Sequence, residues 1–192
     1  MRLNDTLVTS FDYKGEEYEI DLSFDVVLDV FDILDMPELR SYEKAETCLL
    51  LLLNKRFEGL EAVELWNYVF ENFIEFKVKK AVEYDLQGNP MPPRKDDDDE
   101  KFIDLNLDAE YIYTSFRQAY QMDLYEEQGR LHWHKFKALL SGLPSDTIMQ
   151  RIIQIRSWKP SKGESSEYKQ SMKELQRIYA LPDDDEGEEV DD

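Results

Sequence analysis

Two hydrophobic periodicities divide the chain. Near the N-terminus, apolar side chains recur at every second position on both sides of the dipeptide Lys14-Gly15. These positions are Leu7, Phe11, Tyr13, Tyr18, Ile20 and Leu22, and Thr9 shares the parity of the first three. Alternation around a turn that contains glycine predicts a β-hairpin, and this is the only convincing strand pair in the sequence.

Helical spacing begins after the hairpin, because apolar residues now recur every three and four positions. Three helices are predicted, and their starts are Asp21 or Ser23, Ser41, and Glu61. Pro37 ends the first helix, Arg56 ends the second, and the second has a broad apolar side at residues 49–53. One face of the third helix carries Leu65, Trp66, Val69, Phe70, Phe73 and Ile74.

Four more helices are predicted in the second half. Their starts are Asp104, Asn106 or Asp108 for the first, Tyr125 for the second, Ser145 or Asp146 for the third, and about Ser165 for the fourth. Gly142 and Pro144 follow the end of the second helix at Ser141, Pro160 closes the third, and the fourth ends near Ala180. All four have an apolar stripe that needs a packing partner.

Residues 85–101, DLQGNPMPPRKDDDDEK, contain glycine, three prolines and a charge run, which interrupt both periodicities. The predicted fold is mainly α with a short N-terminal β-hairpin (α+β at the N-terminus), in two helical lobes joined by an acidic, proline-rich linker. The predicted divisions are a hairpin with three helices at 1–84, the linker at 85–101, a helical lobe at 102–181, and a disordered acidic tail at 182–192.

The charge of the chain is strongly negative. Acidic residues outnumber basic ones by 43 to 23, and the formal net charge is −20. Such a surface repels phosphate and anionic lipid, so direct binding to nucleic acid or to a membrane is not expected. Two runs, 96–100 and 183–192, hold five and eight of the acids, and solvation is the expected role of both.

The sequence predicts a soluble intracellular protein. Cys48 is the single cysteine, so no intrachain disulfide can form, and its place before a leucine run predicts a buried side chain. The first twenty residues contain no apolar core of signal-peptide length. The longest apolar run, residues 48–53, is much shorter than a membrane span.

The stretch RLHWHKFKALLSGLP, residues 130–144, contains both histidines of the chain. If the stretch is one helix, His132 and His134 lie about 200° apart around its axis and cannot bind one metal ion from the same face. With two histidines and one distant cysteine the chain lacks a zinc ligand set, so no metal site is predicted. Trp133, Phe136 and Leu140 form the stripe that is expected to face the core.

Motifs for catalysis and phosphate binding are missing from the sequence. It has no GxSxG, no GxxxxGK[ST] and no GxGxxG, and neither histidine has an evident catalytic partner. We therefore expect neither enzyme activity nor a cofactor. The segment RIIQIRSWKPSK, residues 151–162, is the one candidate for nucleic-acid binding, but closing a helix and offsetting a negative surface is the better interpretation.

The second half of the chain resembles the bacteriophage gp-fifteen family, which is encoded in tail modules of phages and prophages of Gram-positive bacteria. The resemblance is sharpest over residues 104–160 and extends in layout to the N-terminal half. The residues that carry it are Asp108-Ala109-Glu110-Tyr111-Ile112, Ser115-Phe116, Ala119-Tyr120, Asp123-Leu124, Leu131-His132-Trp133, Phe136, Leu139-Leu140, Leu143-Pro144 and the segment IIQIR-x-x-KP that ends at Pro160.

Members of such families are similar to tail assembly chaperones of long-tailed phages. The resemblance implies a protein of the host bacterial cytoplasm that binds the tape measure protein, keeps it soluble, helps to recruit tail tube subunits and is absent from the finished virion. It implies no catalytic residues. Homo-oligomerisation stays open, as do two other functions, a structural tail or connector component and an acidic DNA-mimic inhibitor.

Aromatic side chains on helix faces are the candidate contacts for such a client, since an apolar groove can bind an amphipathic helix. The candidates are Trp66, Phe70, Trp133, Phe136 and Trp158. A place in the core is the more common role for side chains of this kind, and it stays open for each of the five.

Overall fold

The computed structural model describes residues 4–75, 102–161 and 163–182. The strands are β1 (Ser10–Tyr13) and β2 (Glu16–Glu19). The α-helices are α1 (Phe24–Asp35), α2 (Ser41–Leu53), α3 (Gly59–Val69), α4 (Ala109–Tyr120), α5 (Trp133–Ser141), α6 (Ile148–Ser157) and α7 (Ser166–Ile178). A π-helical segment, Phe70–Ile74, continues α3. The prediction of a mainly helical protein with an N-terminal hairpin is confirmed.

The described chain divides into two compact units. Unit 1 contains residues 4–75 and 123–142, and unit 2 contains residues 102–122, 143–161 and 163–182. Helix α5 is therefore part of unit 1, although the predicted division placed it in the lobe 102–181. The reason is a set of contacts between α5 and residues far away in sequence, which hydrophobic spacing does not reveal. The predicted linker, 85–101, lies outside the described residues, as do residues 183–192 of the predicted tail.

The hairpin forms as its sequence predicts. β1 and β2 are antiparallel, and Phe11 pairs with Tyr18 across the ladder with ring centroids 5.6 Å apart. Lys14 and Gly15, the two residues of the turn, both have positive φ, 54° and 85°. This combination is typical of the two-residue turns whose twist matches that of the strands. The Asp12 carboxylate accepts the Gly15 N–H at 3.3 Å.

In unit 1, the segment 123–142 pairs with the residues at the start of α1. The Phe24 N–H donates to the Leu131 carbonyl at 2.9 Å, and the Trp133 N–H donates to the Leu22 carbonyl at 2.6 Å. These bonds flank an isolated antiparallel bridge between Ser23 and His132. They satisfy backbone groups at the start of both helices, which would otherwise lack partners.

Unit 2 is built on α4 and α6. Its buried apolar side chains are Ile103, Ile112, Phe116, Leu143, Met149 and Ile152. The buried Ser115 hydroxyl joins the two helices, because it donates to the Tyr111 carbonyl at 2.7 Å and accepts the Met149 N–H at 3.1 Å. Helix α7 packs against α6.

Several predicted helix boundaries were wrong. The helix predicted from Tyr125 begins only at Trp133, because residues 124–130 form turns, and Gly129 has a φ of 67°. Helix α2 ends at Leu53 rather than at Arg56, since Asn54 adopts the left-handed conformation. Helix α3 begins at Gly59, two residues before the predicted start.

Candidate functional site

Trp133 and Phe136, two of the five candidate client contacts, lie in the core of unit 1. Their rings are stacked, with centroids 5.5 Å apart, and Phe136 stacks in turn on Phe24 of α1 at 5.1 Å. The exposed fractions of Trp133 and Phe136 are 0% and 2%. The Trp133 indole N–H donates to the Ile74 carbonyl at 2.9 Å. In this conformation neither side chain offers surface to a partner.

Trp66 and Phe70 form a second pair, at the junction of α3 and the π-helical segment. Their ring centroids are 5.6 Å apart. Trp66 is buried, whereas Phe70 is only half-buried. Phe70 is thus the member of this pair whose ring a partner can reach.

Trp158, the fifth candidate, is the C-cap residue of α6 in unit 2 and is half-buried. Its ring meets that of Tyr168 edge to face, with centroids 6.2 Å apart, and its indole N–H donates to the Glu164 carboxylate at 3.4 Å. The structure therefore joins four of the candidates in two pairs and places Trp158 in the other unit. The hypothesis that they contact a client stays a prediction.

Exposed apolar side chains on α2 were not singled out from the sequence. Leu49 and Leu52 are buried, but Leu50 and Leu51 retain 39% and 36% of their surface. Five consecutive leucines of α2 point in different directions around the helix axis, so a core on one side cannot bury them all. We call the exposed positions at helical spacing, Thr47, Leu50, Leu51 and Asn54, the α2 outer face.

An acidic cavity of about 690 Å³ lies next to the end of α2 and includes Asn54 in its wall. The alternation along β2 directs Tyr18, Ile20 and Leu22 into the core and places acids between them. The acids that line the cavity are Glu17, Glu19 and Asp21. Ser10 donates a hydrogen bond to Glu17 at 2.9 Å. The Asn54 end of the α2 outer face therefore adjoins these acidic side chains.

Unit 2 contains a buried ion pair that sequence reasoning missed. The Arg156 guanidinium donates to both carboxylate oxygens of Asp108, at 2.6 and 2.8 Å. It also donates to the carbonyls of Phe102, at 2.9 Å, and Tyr179, at 2.6 Å. The Arg156 and Asp108 side chains are only 8% and 1% exposed. This bidentate pair, in which all three guanidinium nitrogens donate, joins the start of α4, the end of α6 and the end of α7.

The two histidines do not share a helix, which corrects the geometric reason against a joint metal site. His132 is the N-cap of α5, and its Nδ1 accepts the His134 N–H at 3.1 Å. Its Nε2 lies 3.0 Å from the Val8 carbonyl and therefore carries the proton. Both ring nitrogens of His132 are engaged. Among the described residues, no group of three or more metal-ligating side chains is close enough to hold an ion.

His134 is in a different state from His132. Its Nδ1 is buried and lacks a hydrogen-bond partner within the described part of the chain. Burial lowers the pKa of His134, and the positive charge of Lys137 and the neighbouring His132 lower it further. The neutral ring is thus the form that the fold favours.

Cys48 is buried in α2, as predicted, with its sulfur 4.0 Å from the Val30 carbonyl. Burial raises the pKa of the Cys48 thiol to about 12. A thiol with so little thiolate at neutral pH is a poor nucleophile and a poor metal ligand. This cysteine therefore acts as a small apolar side chain in the core.

Comparison with known proteins identifies a family. The bacteriophage Gp15 protein family matches residues 3–181. No match was found among curated proteins, and none among solved structures. No helix within the described ranges is long and apolar enough to cross a bilayer. The matched span includes both units and every described strand and helix, so the chain belongs to the bacteriophage Gp15 protein family.

Proposed function

We propose that this protein is a tail assembly chaperone of a long-tailed phage, which binds the tape measure protein, keeps it soluble and helps to recruit tail tube subunits. The observation that carries the proposal is the family match over residues 3–181, together with the similarity of such families to tail assembly chaperones. The protein works in the host bacterial cytoplasm and is absent from the mature virion.

The α2 outer face is the surface of unit 1 that we assign to the client. Leu50 and Leu51 are adjacent, and Thr47 and Asn54 lie one turn to either side of them. An amphipathic helix binds such a surface through apolar residues at i, i+3, i+4 and i+7. Covering the remaining exposed area of each leucine contributes about 0.5 to 1 kcal/mol.

The acids beside this face add selectivity. Glu17, Glu19 and Asp21 line the adjoining cavity, so a client helix with basic residues next to its apolar stripe is favoured. Like charges also oppose the approach of a second copy of the chain to the same face. The acidic border therefore favours client binding over self-association.

Co-expression with the tape measure protein of the same phage tests the proposal. The wild-type protein should move the tape measure protein into the soluble fraction and copurify with it. A Leu50→Glu, Leu51→Glu double variant should lose this effect, because two charges would be desolvated in the contact. Leu60→Glu is the matched control, since Leu60 is 75% exposed at the start of α3 and outside the α2 outer face.

Each negative result has a separate meaning in this experiment. If the tape measure protein stays insoluble with the wild type, the chaperone function is refuted. If the double variant works as well as Leu60→Glu, the function stands but the α2 outer face is not its surface.

Mass spectrometry of purified virions separates a chaperone from a structural tail or connector component. The chaperone proposal predicts that particles contain no stoichiometric amount of the chain. A fixed copy number in the particle would favour the structural alternative.

A further inference from the structure

Helix α7 lies outside the core of unit 2. None of its residues is buried, whereas α4 and α6 each bury several side chains. Ile112 and Phe116 of α4 and Met149 and Ile152 of α6 form a buried core, to which α7 contributes no fully buried side chain. A helix that adds little buried apolar area can open locally at a low free energy while the rest of the fold stays intact.

The apolar stripe of α7 is nevertheless well defined. Its positions are Tyr168, Met172, Leu175 and, at the C-cap, Tyr179, which follow helical spacing on one side. Two edge-to-face ring contacts join this stripe to the body of unit 2. Tyr168 meets Trp158 with centroids 6.2 Å apart, and Tyr179 meets Tyr111 at the same distance.

Polar contacts also join α7 to the end of α6, and one of them involves the buried Arg156, whose Nε donates to the Tyr179 carbonyl at 2.6 Å. The Gln176 side-chain amide nitrogen lies 3.0, 3.3 and 2.9 Å from the carbonyl oxygens of Ile155, Arg156 and Trp158. Ile155 and Arg156 belong to the last turn of α6 and Trp158 is its C-cap. The Ile155 carbonyl also accepts the Trp158 N–H at 3.2 Å. The Gln176 side chain of α7 thus donates to carbonyl oxygens at the end of α6.

The surface under α7 therefore has the features of a helix-binding groove. It offers aromatic rings, a row of backbone acceptors at one end, and room for a stripe of four apolar side chains. We propose that this surface is a docking site for an amphipathic helix of the tape measure protein, and that α7 occupies it until the client helix displaces α7.

This inference rests on the proposed chaperone function and specifies its client. The client helix carries apolar or aromatic residues at i, i+4, i+7 and i+11, the positions of the α7 stripe. It carries a side-chain donor at i+8, where α7 has Gln176. Both requirements are copied from contacts that α7 makes.

To displace α7, a client helix must compete with a helix that is tethered to the groove. The short connection between Trp158 and Ser165 holds α7 near the groove at an effective concentration in the millimolar range, so a free helix competes against a tethered one. The apparent affinity for the client falls in proportion to the fraction of molecules with an open groove. A client with many helical segments, or with a better stripe than that of α7, meets this condition.

A matched pair of glutamine variants of the full-length chain tests the groove. Gln176→Ala removes the donor to the α6 carbonyls, whereas Gln170→Ala changes an exposed glutamine of the same helix. The probe is a fluorescein-labelled peptide with the sequence of residues 163–182. We expect it to bind Gln176→Ala about tenfold more tightly than the wild type, because the competing α7 is weakened while the peptide is intact. Gln170→Ala should bind it as the wild type does.

Two results of the peptide experiment would overturn the inference. One is equal peptide affinity for Gln176→Ala and Gln170→Ala, which would mean that the groove does not open. The other is dimerisation of Gln176→Ala, measured by light scattering, in which the partner's copy of α7 fills the groove and excludes the peptide. The second result would make the surface an interface between copies of this chain.

Hydrogen exchange on the complex with the tape measure protein completes the test. The inference predicts that amides of 166–178 exchange faster in the complex, while those of α4 and α6 keep their protection. Unchanged protection of α7 in a stable complex would refute the docking site and leave the chaperone function intact. Failure of the tape measure protein to bind any of the three chains would refute both.

Discussion

Helices α5 and α7 differ in how deeply they are buried, although their sequences have the same pattern. Each begins with a side-chain N-cap, since His132 accepts the His134 N–H and Ser165 accepts the Tyr168 N–H at 3.1 Å. Each also carries aromatic and aliphatic residues at helical spacing. Yet α5 buries Trp133 completely, and α7 buries nothing. Periodicity therefore selects the face of a helix that packs, but the neighbours of that face decide how deeply it is buried.

The largest expected effect is in α5. Trp133→Ala removes a fully buried indole that stacks on Phe136 and donates to Ile74, and we expect a loss of about 3 to 5 kcal/mol in the free energy of unfolding. Urea denaturation followed by circular dichroism measures it. Trp158→Ala is the control from the edge of α7, where the indole is half-buried and about 1 kcal/mol is expected. Equal losses in the two variants would contradict the difference in depth.

The second largest effect is expected at the buried ion pair between Arg156 and Asp108 in unit 2. Arg156→Met leaves the Asp108 carboxylate buried with only the Asp104 N–H, at 2.9 Å, as a remaining donor. We expect a loss of about 3 kcal/mol, at the low end for breaking a buried ion pair, because that one bond survives. Arg151→Met on the exposed side of the same helix should change stability by less than about 0.5 kcal/mol. A thermal shift that is similar for both variants would mean that the pair is not structural.

Local signals in the sequence were sufficient for most of the helices. The Lys14-Gly15 turn was predicted from its glycine, and the N-cap residues Ser23 of α1 and Asp108 of α4 were among the predicted caps. The predicted start at Tyr125 was wrong, because residues 124–130 form turns that lead into the bridge between Ser23 and His132. That bridge joins segments more than one hundred residues apart, and no local pattern in the sequence indicates it.

The candidate site depended even more on long-range contacts. Asp108 was identified only as a possible helix cap, whereas its carboxylate pairs with Arg156 across 48 positions of sequence. Trp133 was open to both a core role and a client contact, and its complete burial, with the indole N–H bonded to Ile74, places it in the core. The outward position of Leu50 and Leu51 follows from the direction in which α2 faces its neighbours. A single sequence does not show which side of α2 packs against its neighbours.

A smaller and local effect is expected at the start of α7. Ser165→Ala removes the N-cap oxygen that accepts the Tyr168 N–H, a change that costs about 1 kcal/mol of helix stability. Because α7 contains no buried residue, we expect it to open without the core. Amides of 166–178 should then exchange about fivefold faster, while the midpoint of global unfolding hardly moves. Hydrogen exchange with mass spectrometry measures both segments in one sample. If protection also falls in α4 and α6, then α7 is part of the cooperative core and the comparison with α5 fails.

The smallest effect is a pH dependence in α5, which α7 lacks because it contains no histidine. Burial and the charge of Lys137 lower the pKa of His134 below its ordinary value of 6.5, so the unfolded chain binds a proton more readily than the folded chain does. Stability should therefore be greatest above pH 6.5 and fall as the pH decreases below it. His134→Gln removes this titration and is the reference protein. The melting temperature of the wild type minus that of His134→Gln should become more negative between pH 7.5 and pH 5.5, a window that lies above the ordinary carboxyl pKa values. A difference that stays constant across this window would mean that the buried Nδ1 accepts a proton as easily in the folded chain as in the unfolded one.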